Sequence, residues 1–242
     1  MHKLRLKFSK EGPIKFIGHL DVMRYFQKAI RRAEIDVKYS EGFSPHQVIS
    51  FAQPLSVGAT SDGEYMDMTV NSMTSTEDIM ASLNAVMNEG IKITAVTELD
   101  ERAEKAMTVC EAAYYRIKIR DCFKPDFNWA EKFAGYLSGD KLPAMKKTKS
   151  GEKEIDMKQM IFNYELHKDT EEAYLLLSMS SSQTLKPLLL FTEFYKSLGL
   201  ELLSGALDIH RIDIYTSGSD KKGTYIEPFI PADDTKRIYL NA

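Results

Sequence analysis

Hydrophobic and polar residues alternate at the start of the chain. Leu4, Leu6 and Phe8 are separated by the basic residues Arg5 and Lys7. This two-residue period is typical of a β-strand with one buried face. The pattern therefore predicts a first strand close to the amino terminus.

The hydrophobic period changes from two residues to three or four after Leu20. Met23, Phe26, Ile30 and Ala33 recur at that spacing, which places them on one side of a helix. The basic residues Arg24, Lys28, Arg31 and Arg32 fall on another side. An amphipathic helix with a basic stripe is the expected second element.

Similar patterns predict the remaining elements of both halves of the chain. In the first half they are a short strand at 37–40, a strand at 64–70, a helix at 76–87 and a strand at 91–96. In the second half they are strands at 114–119, 155–167, 174–179 and 207–215, and helices at 129–137 and 185–198. Each half then has the order βαββαβ. The fold class predicted is α+β, with two tandem ferredoxin-like (βαββαβ) units and antiparallel sheets.

The domain boundary is expected near residues 100–112, which are charged and weakly patterned. We expect an N-terminal ferredoxin-like domain at 1–105, with a long loop at 41–63 that lacks obvious secondary structure. The C-terminal ferredoxin-like domain is expected at 112–242, with an insertion at 141–158. Loops as long as the first one are usually functional or disordered, and the hydrophobic residues in this one argue against disorder.

The net charge of −3 hides an uneven distribution along the chain. Residues 1–48 contain ten Lys or Arg against five Asp or Glu, whereas residues 49–113 contain three against eleven. A basic region can attract phosphate even on an acidic protein, because charges are screened beyond about 8–10 Å.

Several classes of protein are disfavoured by residues that the sequence lacks. Cys110 and Cys122 are its only cysteines, so we expect reduced thiols and no iron–sulfur cluster. There is no GxGxxG or GxxxxGK[ST] loop, no HExxH helix and no GxSxG elbow. No metal site and no cofactor in this chain are predicted. The absence of a long apolar run or apolar leader predicts a cytoplasmic protein with no membrane contact.

Two loops should meet at one end of the first unit, namely the turn before the first helix and the 41–63 connection. His19 and His46 are then expected to be neighbours beside a helix amino terminus, which favours anions. The ligand-binding candidates are Lys15, His19, Asp21, Arg24, Tyr39, Glu41, Phe43, Ser44, His46 and Phe51. The candidates for contact with phosphate or an RNA backbone are Lys28, Arg31, Arg32, Lys146, Lys147 and Lys149.

Each candidate also has a purely structural explanation. His19 could cap the helix, and Asp21 could do no more than favour the helix dipole. The basic stripe could be a solvated face. Phe43 and Phe51 could stack on bases or could cover an edge of the core.

The segments GHLD, YSEGFSPH and KTKSGEKEID, with IHRIDIY near the end, carry a resemblance to a known family. Over about residues 1–215 the chain resembles an uncharacterised bacterial family of radical-SAM-linked, or radical-SAM-associated, proteins, a domain of unknown function. The resemblance implies that a radical-SAM enzyme encoded nearby is a partner. It implies no reaction for this chain.

Three functions are compatible with the sequence. The first is an accessory module without its own catalysis, which binds RNA or a modified nucleotide and works with a radical-SAM enzyme. The second rests on a fold-level likeness to CRISPR repeat-processing endoribonucleases, and it makes His19 and His46 a metal-independent acid–base pair. The third is a protein–protein adaptor whose loop is the docking surface.

Overall fold

The computed structural model describes residues 1–148, 151–231 and 237–240. The chain divides into two compact units. Unit 1 contains Met1–Cys110 and Asp213–Ala242, and unit 2 contains Glu111–Ile212. Both units combine α-helices with mostly antiparallel strands, so the predicted mixture of α and β structure is confirmed.

The described residues form α-helices and β-strands with the following bounds. The helices are α1 (His19–Arg32), α2 (Thr76–Val86), α3 (Ala106–Val109), α4 (Trp129–Leu137) and α5 (Pro187–Ser197). The strands are β1 (His2–Lys10), β2 (Ile49–Phe51), β3 (Thr60–Val70), β4 (Ile91–Leu99), β5 (Ala112–Ile119), β6 (Pro143–Thr148), β7 (Gly151–Asp156), β8 (Ile161–His167), β9 (Glu172–Ser178), β10 (Leu207–Asp220), β11 (Gly223–Pro228) and β12 (Ile238–Tyr239).

The sheet of unit 1 is built around β1, which lies between β3 and β4 and is antiparallel to both. One face of β1 packs on the helices, because Leu4, Leu6 and Phe8 join Phe26 of α1 and Leu83 of α2 in the hydrophobic core. The rings of Phe8 and Phe26 have centroids 4.8 Å apart. Burial of each such side chain stabilises the fold by about 1.5–3 kcal/mol.

The other face of β1 is also covered, although its sequence pattern assigns it to solvent. Arg5 is 7 % exposed and forms an ion pair with Asp67 of β3. Lys7 forms one with Asp213, which also accepts a hydrogen bond of 2.6 Å from Tyr65 Oη. Arg5 can be buried and Lys7 half-buried because both have acidic partners that are distant in sequence, and a charge removed from solvent is tolerated when it is paired.

The loop at 41–63 contains more regular structure than the sequence predicts. The strand predicted at 37–40 is reduced to isolated bridges, from Val37 to Val70 and from Tyr39 to Gln47. The strand that pairs with β3 in this region is β2 at Ile49–Phe51. Its residues lie opposite Met66–Met68 of β3, and this pairing satisfies backbone groups of both segments.

The last residues of the chain group with unit 1, which differs from the domain predicted at 112–242. Asp213 contributes to the charged network, and the ring of Phe229 lies 5.1 Å from the ring of Tyr65. The guanidinium group of Arg5 lies 4.6 Å from the centre of the Phe229 ring. These contacts explain why 213–242 belongs to the first unit.

Unit 2 has the strand order β10-β5-β9-β8 and a separate antiparallel hairpin made of β6 and β7. The two strands of this hairpin lie within 141–158, the segment where the sequence predicts an insertion. Helices α4 and α5 meet through aromatic side chains, with the rings of Phe133 and Phe191 stacked 4.7 Å apart. Trp129 and Phe194 complete this aromatic core.

Candidate functional site

The segment 39–47 folds back on itself and exposes an aromatic residue at its tip. Tyr39 and Gln47 form a β-bridge, and the backbone N–H of Ser40 donates to the carbonyl of His46 at 2.8 Å. Gly42 has a φ of 105°, which favours glycine in this turn. Phe43 follows it and is fully exposed. The fold of this segment therefore presents an apolar ring to solvent.

Gln47 attaches this segment to α1. Its side chain is 5 % exposed and donates from Nε2 to the carbonyl oxygen of Gln27 at 3.2 Å. This bond fixes the orientation of the amide, because only its nitrogen can donate. Gln47 Oε1 is buried and has no hydrogen-bond partner among the described residues.

A cavity of about 190 Å³ lies between the segment and α1, and we call it the His46 cavity. It is lined by Gln27, Arg31, Tyr39, Pro45, His46 and Gln47. Its wall combines a cation, an imidazole ring, a phenol and two amides. Such a set of donors and acceptors can bind a polar, anionic ligand.

The basic stripe of α1 is partly committed to other contacts. Arg24 pairs with Asp21 at 3.4 Å, and Arg32 donates to the carbonyl of Val86 at 3.0 Å. In contrast, the side chains of Lys28 and Arg31 are exposed and make no ion pair or hydrogen bond with the described residues. Two cationic side chains of α1 are therefore available to a ligand. Arg31 lines the His46 cavity, and Lys28 lies three residues before it on the helix.

The imidazole ring of His46 is held by Ser40. The backbone N–H of His46 donates to Ser40 Oγ at 3.1 Å, and Ser40 Oγ lies 2.8 Å from His46 Nδ1. If the hydroxyl donates to Nδ1, the proton of the neutral ring is on Nε2. His46 can then offer a hydrogen-bond donor to a ligand.

His19 lies against a different and much smaller cavity. This cavity measures about 20 Å³ and also touches Lys10, Phe51 and Glu64. The rings of His19 and Phe51 meet edge to face with centroids 5.5 Å apart. Since a cavity of roughly 10–15 Å³ is needed for one water, this one has no room for a substrate.

The two histidines thus line separate cavities. The His46 cavity is lined by Gln27, which follows His19 by eight residues on α1, or about 12 Å of helix rise. The two halves of the long connection explain this separation. The segment at 39–47 lies beside Gln27, whereas the residues after Phe51 lie beside His19.

Comparison with family models identifies one match over most of the chain. Residues 3–187 match the family described as "Uncharacterized protein conserved in bacteria (DUF2344)". The chain belongs to this family. No curated protein matches the chain.

The other ligand candidates are distributed around the His46 and His19 cavities of this DUF2344 protein. Tyr39 lines the His46 cavity, and Glu41 and Ser44 are exposed in the same segment. Lys15 lies on the turn before α1, where its ammonium group is 5.3 Å from the centre of the Phe16 ring. Phe51 packs against the rings of Phe8 and Phe26 in the core, whereas Phe43, the other candidate for stacking on a base, is fully exposed.

The basic candidates of the second half are only partly described. Lys146 belongs to β6 and donates from Nζ to the carbonyl of Thr184 at 2.8 Å. Lys149 and the side chain of Lys147 lie outside the described residues.

Gln27, Pro45 and Gln47 line the His46 cavity and were not among the residues predicted from the sequence. A glutamine carries no distinctive spacing or charge, and only the position of the segment on α1 reveals its role. Within the described ranges, no group of three or more His, Cys, Asp or Glu side chains is placed to bind a metal. In the same ranges, no helix has the length and hydrophobicity needed to span a membrane.

Proposed function

We propose that this protein is an accessory module that binds RNA, or a modified nucleotide within RNA, and has no catalytic step of its own. The observation that carries the proposal is the His46 cavity with the free cation Arg31 at its wall. Exposed aromatic residues accompany it, since Tyr39 lines the cavity and Phe43 is fully exposed at the tip.

The combination of free cations and exposed rings fits a nucleic acid better than a small anion. Cations bind the phosphate backbone, and aromatic side chains stack on bases with about 1–3 kcal/mol per base. Lys28 and Arg31 lie three residues apart on α1 and so project from the same side of the helix. A single-stranded segment could contact both cations while a base lies on Tyr39 or Phe43.

Binding is better supported than cleavage. A pair of histidines acting as acid and base must reach one substrate. His46 lines a cavity of about 190 Å³, whereas His19 lines another of about 20 Å³. This arrangement gives the two imidazoles no common substrate space.

The partner that we propose is a radical-SAM enzyme. Support for this part comes from the resemblance of GHLD, YSEGFSPH and KTKSGEKEID to the radical-SAM-linked proteins. In this proposal the module presents the RNA, and the enzyme performs the reaction.

We also propose that each unit is ferredoxin-like. In unit 1 the order is β4-β1-β3, and β2 pairs with β3 beside this main order; in unit 2 the order is β10-β5-β9-β8. If the hairpin of β6 and β7 is treated as an insertion, both sheets have the fourth, first, third and second strand in that order. This repeated order supports two βαββαβ units.

RNA binding can be tested by fluorescence anisotropy with a labelled single-stranded RNA of mixed sequence over a range of salt concentrations. We expect the double variant Lys28→Gln/Arg31→Gln to bind more weakly. Its slope of log affinity against log salt should fall by about 1.4, since each phosphate contact contributes about 0.7. Phe43→Ala should weaken binding roughly tenfold without a change in stability, because a stacked base contributes about 1–3 kcal/mol.

Arg102→Gln is the matched control, because Arg102 is an exposed arginine of unit 1. The next residue, Ala103, accepts a hydrogen bond from Lys3 of β1, and Arg102 does not line the His46 cavity. RNA binding that is unaffected by the double variant would show that Lys28 and Arg31 do not hold the RNA and would contradict the proposed site. Absence of any RNA binding by the wild-type protein would contradict the proposal.

A further inference from the structure

The hairpin of β6 and β7 places two lysines directly opposite each other. In its register, Lys146 pairs with Lys153, and the neighbouring pair is Met145 with Glu154. Like charges at directly opposite positions destabilise a strand pair. The pairing therefore has a cost within the protein that a bound anion would offset.

Both lysines line one cavity of about 440 Å³ in unit 2, which we call the hairpin cavity. Ser182 and Gln183, from the turn after β9, line it as well. Lys146 reaches that turn region, since its Nζ donates to Thr184 at 2.8 Å. The side chain of Lys153 is exposed and has no hydrogen bond or ion pair with the described residues.

The turn at 180–183 adds the hydroxyl group of Ser182 to the lining of this cavity. The N–H of Gln183 donates to Ser180 Oγ at 3.1 Å, and the N–H of Ser180 donates to the carbonyl of Gln183 at 3.0 Å. Ser182 Oγ lies 3.1 Å from Ser180 Oγ. The turn is thus fixed by its own hydrogen bonds, and the hydroxyl of Ser182 is one of the groups available at the cavity.

Two acidic residues also line the hairpin cavity, and one of them is already engaged. Asp156 Oδ1 accepts hydrogen bonds from the N–H groups of Leu142 and Lys158, at 2.9 and 3.0 Å. These bonds lower the pKa of Asp156, because the two backbone N–H groups stabilise its negative charge. Glu154 is exposed, and it is the acidic residue of the lining without such backbone partners among the described residues, so its repulsion of an anion is the less compensated of the two.

We propose that the hairpin cavity binds a phosphate group between Lys146 and Lys153, with Ser182 as a further donor. The phosphate can come from two sources, a terminal phosphate monoester or the backbone of a nucleic acid. This site goes beyond the proposed function, which rests on residues of unit 1.

The test is a titration of the whole protein with inorganic phosphate and pyrophosphate, followed by the NMR shifts of the backbone amides of 180–184. We expect saturable shifts in the wild type. Lys153→Gln should raise the dissociation constant roughly tenfold or more, because a hydrogen bond to a charged group contributes about that factor. Lys153→Gln keeps the contact between Lys146 and Thr184, so the hairpin should remain folded.

Lys168→Gln is the matched control in the same unit. Lys168 is exposed in the turn before β9, whereas Ser182 follows β9, and the seven residues of that strand span about 23 Å. Glu154→Gln should act in the opposite direction and tighten phosphate binding roughly two- to threefold, since it removes the nearby repulsion.

Two forms of one RNA distinguish the source of the phosphate, one with a 5′-phosphate and one with a 5′-hydroxyl. Weaker binding of only the phosphorylated form by Lys153→Gln supports a terminal phosphate. Weaker binding of both forms supports a backbone phosphate. The proposal is overturned if the wild type shows no shifts at millimolar phosphate, or if Lys153→Gln shows the same shifts as the wild type.

Discussion

Arg5 and Asp67 form a buried ion pair between β1 and β3. Arg5 donates from Nε and Nη2 to the two carboxylate oxygens, at 2.8 and 3.1 Å. Asp67 Oδ2 accepts a further bond of 2.7 Å from the N–H of Ala106. The pair is thus well satisfied, and the loss of one member leaves a buried charge with too few partners.

We expect Arg5→Leu to lower the free energy of unfolding by about 3–5 kcal/mol, which is typical when one partner of a buried pair is removed. Urea unfolding measures this change. The double variant Arg5→Leu/Asp67→Leu should lose less than the single variant, because it leaves no unpaired carboxylate. A single variant as stable as Arg102→Gln would show that the pair is not structurally important.

Tyr65 extends this network towards the end of the chain. Burial raises the pKa of Tyr65, and the adjacent carboxylate of Asp213 raises it further. The phenol therefore stays protonated at neutral pH and remains a donor to Asp213. The same carboxylate neutralises Lys7, so one acidic residue serves two partners.

The carboxylate of Asp156 links the hairpin of β6 and β7 to the residues that flank it, through hydrogen bonds to backbone N–H groups. This carboxylate accepts from the N–H of Leu142, just before β6, and from the N–H of Lys158, just after β7, so both bonds lie at the open end of the hairpin. An aspartate whose pKa is lowered in the folded state stabilises the fold above its unfolded pKa, and this stability is lost as the pH falls through the folded pKa. The relevant window lies below about pH 4.

Asp156→Asn should therefore destabilise the protein at neutral pH, and the difference from the wild type should shrink as the solution is acidified. Urea unfolding of both proteins between neutral pH and about pH 3 measures the difference. Asp140→Asn is the control, because Asp140 is exposed and accepts no hydrogen bond from the described residues. A difference that stays constant with pH would contradict this role of the carboxylate.

At the scale of the whole molecule, the chain returns to unit 1 within β10. Residues 207–212 of this strand belong to unit 2, and the residues from Asp213 onward belong to unit 1. Unit 1 therefore requires both ends of the chain. We expect residues 1–110 alone to form a less stable unit.

A chain that ends at Ile212 should lose protection in β1. It lacks Asp213 and Phe229, which leaves Lys7 without its acceptor and Arg5 without its ring contact. Hydrogen exchange of the β1 amides should become markedly faster, because local stability depends on these buried contacts.

A chain that ends at Pro231 is the appropriate control, since it keeps both residues. It should exchange its β1 amides at nearly the rate of the complete chain. Equal exchange in the two truncated chains would indicate that 213–231 does not stabilise unit 1.

The sequence by itself determined the elements whose signals are local. The spacing of Met23, Phe26 and Ile30 predicted α1, and the helix predicted at 129–137 agrees with α4 at both ends. These predictions succeed because side chains repeat every 3.6 residues in a helix and every two in a strand. The aromatic residue Phe43 and the cation Arg31 were also recognisable as candidates from their residue types.

Only the tertiary structure decided which residues meet. Arg5 pairs with Asp67 at a separation of 62 residues, and Lys7 pairs with Asp213 at a separation of 206. The same holds for the candidate site, where Gln47 and not His19 accompanies His46. No local period encodes such contacts, because they depend on which strands become neighbours and on where a loop crosses a helix.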